Sequence, residues 1–114
     1  MTAEEVAEKI EAMEAARDKR LNERDENDLR AVLRTPEGRR FVWGVLADSG
    51  TFQPSYTGEA ASTNFNEGKR SVGLKLFKRL LEVKPETYLQ MTLERTSEDK
   101  AFLVEIEKVK EMED

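Results

Sequence analysis

The sequence predicts an all-α protein: a small helical domain of about five to six helices, with one aromatic-bearing loop and amphipathic terminal helices. Three observations lead there. Apolar residues recur three and four apart in most segments, no stretch alternates for long enough to make a strand, and capping residues, prolines and glycines punctuate the helical segments. The predicted organisation is an acidic amphipathic helix over residues 1–28, a compact helical part over 29–95 and an acidic helix over 96–114.

The first helical segment, "TAEEVAEKIEAMEAARDKRL", sets Val6, Ile10, Met13 and Leu21 at nearly helical spacing, with Glu5 and Lys9 one turn apart. Its apolar stripe is thin, so it stabilises little alone and needs something to lie against. Leu29, Val32 and Leu33 form a second short apolar face. Thr35 then has the character of an N-cap, with Pro36 at the first helical position and Glu37 in the first turn. Phe41, Val42, Val45 and Leu46 share one face of the helix that follows, and Gly50 supplies its stop.

"GTFQPSYTGEAAS" has no helical period and holds Pro54 and Gly58, so it is a loop carrying Phe52 and Tyr56. Phe52 is assigned to the core, and Tyr56 is left to either role. Ser62 or Thr63 is expected to cap a central helix on which Val72, Leu76, Leu80 and Val83 recur, widened by Leu74, Phe77 and Leu81. Gly68 and Gly73 weaken that helix by about 1 kcal/mol each relative to Ala, which suggests close approach of another backbone. Pro85 opens a short helix with Tyr88, Leu89 and Met91 or Thr92 inward. Ser97 is expected to cap a last one with the stripe Phe102, Ile106 and Val109.

The chain has 114 residues, of which 38% are apolar and 38% charged, so one modest core and a large polar surface are expected. It holds no cysteine and no histidine, which removes disulfides, thiolate nucleophiles, zinc sites of Cys/His type and Ser-His-Asp relays. Carboxylates are numerous, but none sits in a recognisable catalytic setting, and no enzyme activity, cofactor or metal is expected. No apolar run reaches membrane-spanning length, and the acidic start lacks the features of a secretory signal, so a soluble protein made in the cytoplasm is expected. The net charge of −5 is unevenly spread: Met1 to Leu33 carries −4, Arg34 to Thr63 zero, Asn64 to Lys84 +4 and Pro85 to Asp114 −5.

The basic centre contains "EGKRS", which is no phosphate loop. Thr63 stands where the first glycine belongs, Arg70 where Ser or Thr belongs, and no apolar strand precedes it. Advancing 100° per residue, Asn66, Lys69 and Arg70 fall in the same broad arc as Leu76 and Leu80, while Lys75, Lys78 and Arg79 fall on the opposite one. Polar groups on a buried arc need acceptors. Arg70 either bonds inside the chain, to Asp48, Glu59 or the end of the preceding helix, or faces a partner.

Four stretches occur together and in order: "TPEGRRFVW", "GTFQPSYTG", "NFNEGKRSVGLKL" and "PETYLQM". They resemble the pattern T-P-x-G-R-R, G-x-F-x-x-S-F-T-G, F-x-E-G-x-R-N-V-G-L and P-E-x-Y-L of a family of small proteins of tailed bacteriophages, especially short-tailed ones. The likeness spans about Leu29 to Glu94. Genes of that family commonly lie in the head-morphogenesis block near those for portal and capsid. The resemblance therefore implies a non-enzymatic structural or assembly protein, present in the host cytoplasm during assembly and then in the virion. Its implied partners are portal, capsid or ejection proteins and copies of itself. The shared polar positions are Arg39, Arg40, Ser55, Thr57, Glu67 and Arg70, with Gly38, Gly58, Gly68 and Gly73 as backbone positions. Gln53 stands where relatives often have Arg, and Ser71 where they have Asn. The candidate partner-binding residues are Arg39, Arg40, Tyr56, Asn66, Lys69 and Arg70. The alternative, less favoured, is a DNA-binding or packaging accessory using Arg39, Arg40, Lys69, Arg70, Lys75, Lys78 and Arg79.

Overall fold

Four helices, with no strand, make up the chain in the computed structural model, which describes residues 1–114. They are α1 (Ala3–Leu33), α2 (Pro36–Asp48), α3 (Ala60–Val83) and α4 (Glu86–Lys110). The expected five to six helices become four because two boundaries dissolve. α1 runs through the "ERDEND" stretch and α4 through Thr96-Ser97, where no glycine or proline interrupts the backbone. A hydroxyl residue caps a helix only where the chain before it has left helical geometry. The Thr96 hydroxyl instead donates to the Thr92 carbonyl at 2.8 Å, a bond made within a continuing helix.

The join between α1 and α2 follows the expected chemistry. Thr35 accepts from the Gly38 amide at 3.0 Å, Pro36 opens α2, and a Cβ at position 38 would overlap the Val32 carbonyl oxygen. α2 ends at Asp48, and Gly50, at φ 66°, turns the chain out of it. The start of α3 differs from expectation. Its N-cap is Glu59, whose side chain makes no capping bond, while the hydroxyls of Ser62 and Thr63 bond Thr57 in the loop.

The core is Leu33, Val42, Leu46, Leu80 and Met91, so each helix contributes and α3 touches the other three. Leu29, Trp43, Leu76, Phe77 and Tyr88 pack around it. An aromatic cluster closes one side: Phe77 meets Phe52 and Tyr88 edge-on, each at 5.1 Å between ring centres, and Trp43 lies 6.4 Å from Phe52. Phe52 thus packs, but at the rim; it is half exposed rather than a core residue. Phe41, expected inward, is 72% exposed, and Val72 is 62% exposed. With only three neighbouring helices, the strip of α3 that finds cover is narrow. Gly73 and Leu80 are the residues it buries, and Leu74 and Leu81 also stay exposed.

Close approach of another backbone was expected at two glycines; side chains, not backbone, come close at one of them. A Cβ on Gly73 would run into the Thr51 hydroxyl and Ser49 Cβ of the loop after α2, whereas Gly68 has open space.

The molecule is extended and flat, 90 × 40 × 16 Å, with a radius of gyration of 21.9 Å. A compact chain of this length has a radius of about 13 Å. The difference lies in two helical arms. Every α1 residue before Leu21 is exposed, and beyond Glu94 every residue but Ile106 is exposed.

Candidate functional site

The six candidate residues fall in three places. Arg39 is internal: its Nε donates to Glu94 Oε1 at 2.8 Å and its Nη1 to the Leu33 carbonyl at 3.0 Å. It is 9% exposed and therefore closes the C-terminal end of α1 instead of meeting a partner. Arg40, one residue on, is exposed, 3.9 Å from Glu37 on its own helix. Tyr56 projects from the loop, 80% exposed.

Asn66, Lys69 and Arg70 do come together, at the first turns of α3 beside the α2–α3 loop. The Asn66 amide donates to the Ser55 carbonyl at 3.3 Å, and the Ser55 hydroxyl donates to Glu67, so the loop is tied down from both faces of the helix start. Thr57 adds a third tie: its amide donates to the Thr63 hydroxyl at 3.0 Å. Gly58, at φ 89°, makes the turn into α3 that these bonds require. Lys69 lies over the Phe65 ring, 5.1 Å from its centre. The result is a recess of about 100 Å³ lined only by non-apolar groups and Pro54, with Ser49, Gln53, Lys69 and Arg70 on its walls.

Arg70 is the unusual member. Its Nε is shut away from solvent, and no acceptor of the chain reaches it. The internal partners expected for it are otherwise engaged or distant. The carbonyls ending α2 are taken by the chain's own turn: Ser49 bonds Val45 through both amide and hydroxyl, the Gly50 amide bonds Ala47, and the Thr51 amide bonds Leu46. Neither Asp48 nor Glu59 forms an ion pair with it. Lys75 and Lys78, which with Arg70 line a shallow groove on the outer side of α3, are exposed.

A buried guanidinium donor without an acceptor costs about 1–3 kcal/mol; the Nε is as closed to an outside group as to solvent, and it is the remainder of the half-exposed Arg70 guanidinium that an incoming carboxylate or carbonyl would meet. The arrangement suits a polar, acceptor-bearing partner group. It holds no nucleophile–base pair, and no three carboxylates converge as a metal site would need. The roles of Ser49 and Gln53 as walls were not legible beforehand, because they depend on how the loop folds back onto α3. The Glu94 partner of Arg39 lies 55 residues away and left no local signal.

A protein-family model for Bbp19-like phage proteins matches residues 29–92, more than half of the chain. The chain belongs to this family. Neither a curated protein nor a solved structure matches it. The matched Bbp19-like segment begins at Leu29, includes the whole core and the α2–α3 loop, and ends at Thr92, so it leaves out both exposed arms. No helix of the structure is long and apolar enough to cross a membrane.

Proposed function

We propose that the protein is a non-enzymatic structural or assembly protein of a bacteriophage, associated with the head, portal or interior of the virion. It acts through contacts with other phage structural proteins and with copies of itself. The observation that carries this reading is the surface the fold leaves open. Nine of 114 residues are buried, while nineteen large apolar side chains are exposed, spread over the arms, α3 and the loop. Among them Val6, Ile10 and Met13 form one stripe on an arm that is exposed throughout, and an apolar stripe without cover is what an interaction site presents. The half-exposed Arg70 guanidinium, in a recess it shares with Asn66 and Lys69, supplies the polar anchor such a contact would use.

Mass spectrometry of purified particles beside empty precursors tests the reading. The expected result is the protein in one or both, at a fixed copy ratio to the portal. Absence from both overturns it.

A second reading, a DNA-binding or packaging accessory, has one observation in its favour: Lys69, Lys75, Lys78 and Arg79 are all exposed on α3. Arg39 is not available to it, being committed to Glu94 and Leu33. Salt separates the two readings. Affinity carried by phosphate contacts falls steeply with ionic strength, and a mainly apolar protein contact changes little.

A further inference from the structure

We propose that the recess between the α2–α3 loop and α3 receives a carboxylate from an acidic segment of a partner protein, held by Arg70 and Lys69. The inference rests on the reading that the protein works through protein contacts, and it names the chemistry that one such contact recognises.

The walls carry charge of one sign. Lys69 and Arg70 both line the recess, no acidic residue does, and neither cation forms an ion pair within the chain. Two neighbouring cations that face one small space favour an anion between them. Glu67, the nearest acid in the sequence, lines the groove on the outer side of α3 instead, and it accepts from the Ser55 hydroxyl. The chain therefore supplies no counter-charge of its own here.

The neutral groups add donors. Asn66 commits one amide hydrogen to the Ser55 carbonyl, which leaves its second, and no group of the chain bonds the Gln53 side-chain amide. Ser49 adds none, because its hydroxyl already donates to the Val45 carbonyl at 2.7 Å. A carboxylate matches this set better than a carbonyl does: it brings a full charge and two oxygens, which a guanidinium meets with parallel N–H bonds. Arg70 Nε is enclosed, so the pairing uses the outer nitrogens of the half-exposed guanidinium.

Charge and shape favour protein over nucleic acid as the source. A duplex presents a row of phosphates and is held by a row of cations, whereas this recess, of about 100 Å³, gathers two cations at one point beneath a loop. Lys75 and Lys78 lie along the outer groove and not on its walls. The net charge of −5 opposes a polyanion as a whole and leaves a single acidic side chain free to enter.

Nuclear magnetic resonance of the full chain tests this, with a short peptide carrying two adjacent glutamates as the probe and its glutamine counterpart as the control. The glutamate peptide should shift the side-chain amide signals of Gln53 and Asn66, and the glutamine peptide should not. Arg70→Ala and Lys69→Ala should each weaken binding about 10-fold, the loss of one charge-assisted hydrogen bond. Lys69 is exposed, so its variant keeps the test open should Arg70→Ala lose the fold. Lys75→Ala and Lys78→Ala should bind within about 2-fold of the parent. Equal binding of the two peptides, unmoved Gln53 and Asn66 signals, or an equal loss in Lys75→Ala and Arg70→Ala overturns the proposal. So does a DNA duplex that moves the same signals at lower concentration than the peptide. A parent that binds the glutamate peptide yet is absent from particles defeats the assembly reading alone; a parent found in particles that ignores the peptide defeats this proposal alone.

Discussion

Arg39 and Glu94, 55 residues apart in the chain, meet at 2.8 Å, and the same guanidinium donates to the Leu33 carbonyl at 3.0 Å. One side chain therefore ties the start of α2 to the end of α1 and the middle of α4. The Gly38-Arg39-Arg40 stretch contributes its first arginine to the scaffold and leaves its second, Arg40, on the surface.

Removing the Arg39 side chain leaves the Leu33 carbonyl and part of the Glu94 carboxylate without donors. Arg39→Ala is expected to lose about 2–4 kcal/mol in denaturant titration. Arg39→Lys should recover less than half of it, because an ammonium does not reach both acceptors in the fork geometry of a guanidinium. Arg40→Ala should stay within about 0.5 kcal/mol of the parent, as its 3.9 Å pair with Glu37 is exposed.

The two glycines of α3 should respond with opposite signs. Gly68→Ala meets nothing and gains helix propensity, so a stabilisation of about 0.5–1 kcal/mol is expected. Gly73→Ala drives a methyl group into Thr51 and Ser49 and should cost about 1–3 kcal/mol. Thermal melts of the two variants beside the parent check this directly.

Burial along α3 gives a second pair. Leu80, fully buried, should cost about 2–5 kcal/mol on replacement by Ala, and Leu80→Asp should unfold the domain. Val72→Asp, on the open side, should melt within a few degrees of the parent.

Much of the architecture was legible because it depends on short-range chemistry. Thr35, Pro36 and Gly50 each act through their own backbone, and the helical periods at Val42, Leu46, Leu80 and Met91 mark residues that do become core. What was misread depends on long-range cover. Periodicity places Val72, Leu74 and Phe41 on apolar arcs, but whether an arc is buried depends on how many neighbours reach it, and here the short contacts between helices bury only five apolar residues. Likewise, Ser62 and Ser97 have capping chemistry, and only the path of the chain before them decides whether a helix begins there. At the candidate site, the sequence placed Asn66, Lys69 and Arg70 together because all three lie on one helix. Arg39 joined them as a polar position of the resembled pattern, and its distant partner Glu94 separates it.

The arm of α1 lies outside the core, so deletion of Met1 to Arg20 should leave the denaturant midpoint within about 10% of the parent. Loss of cooperative unfolding on that deletion would place the arm within the folded unit.

The most direct test of the central claim, that the fold presents a partner site around Arg70, is the copy number of Arg70→Ala in purified particles, measured with its denaturant midpoint. Arg70 serves no acceptor within the chain, so the account predicts stability within about 1 kcal/mol of the parent together with loss from particles. Tyr56→Ala should behave the same way. Incorporation of Arg70→Ala at the parent's copy number, or a loss of stability large enough to explain its absence, would contradict the account.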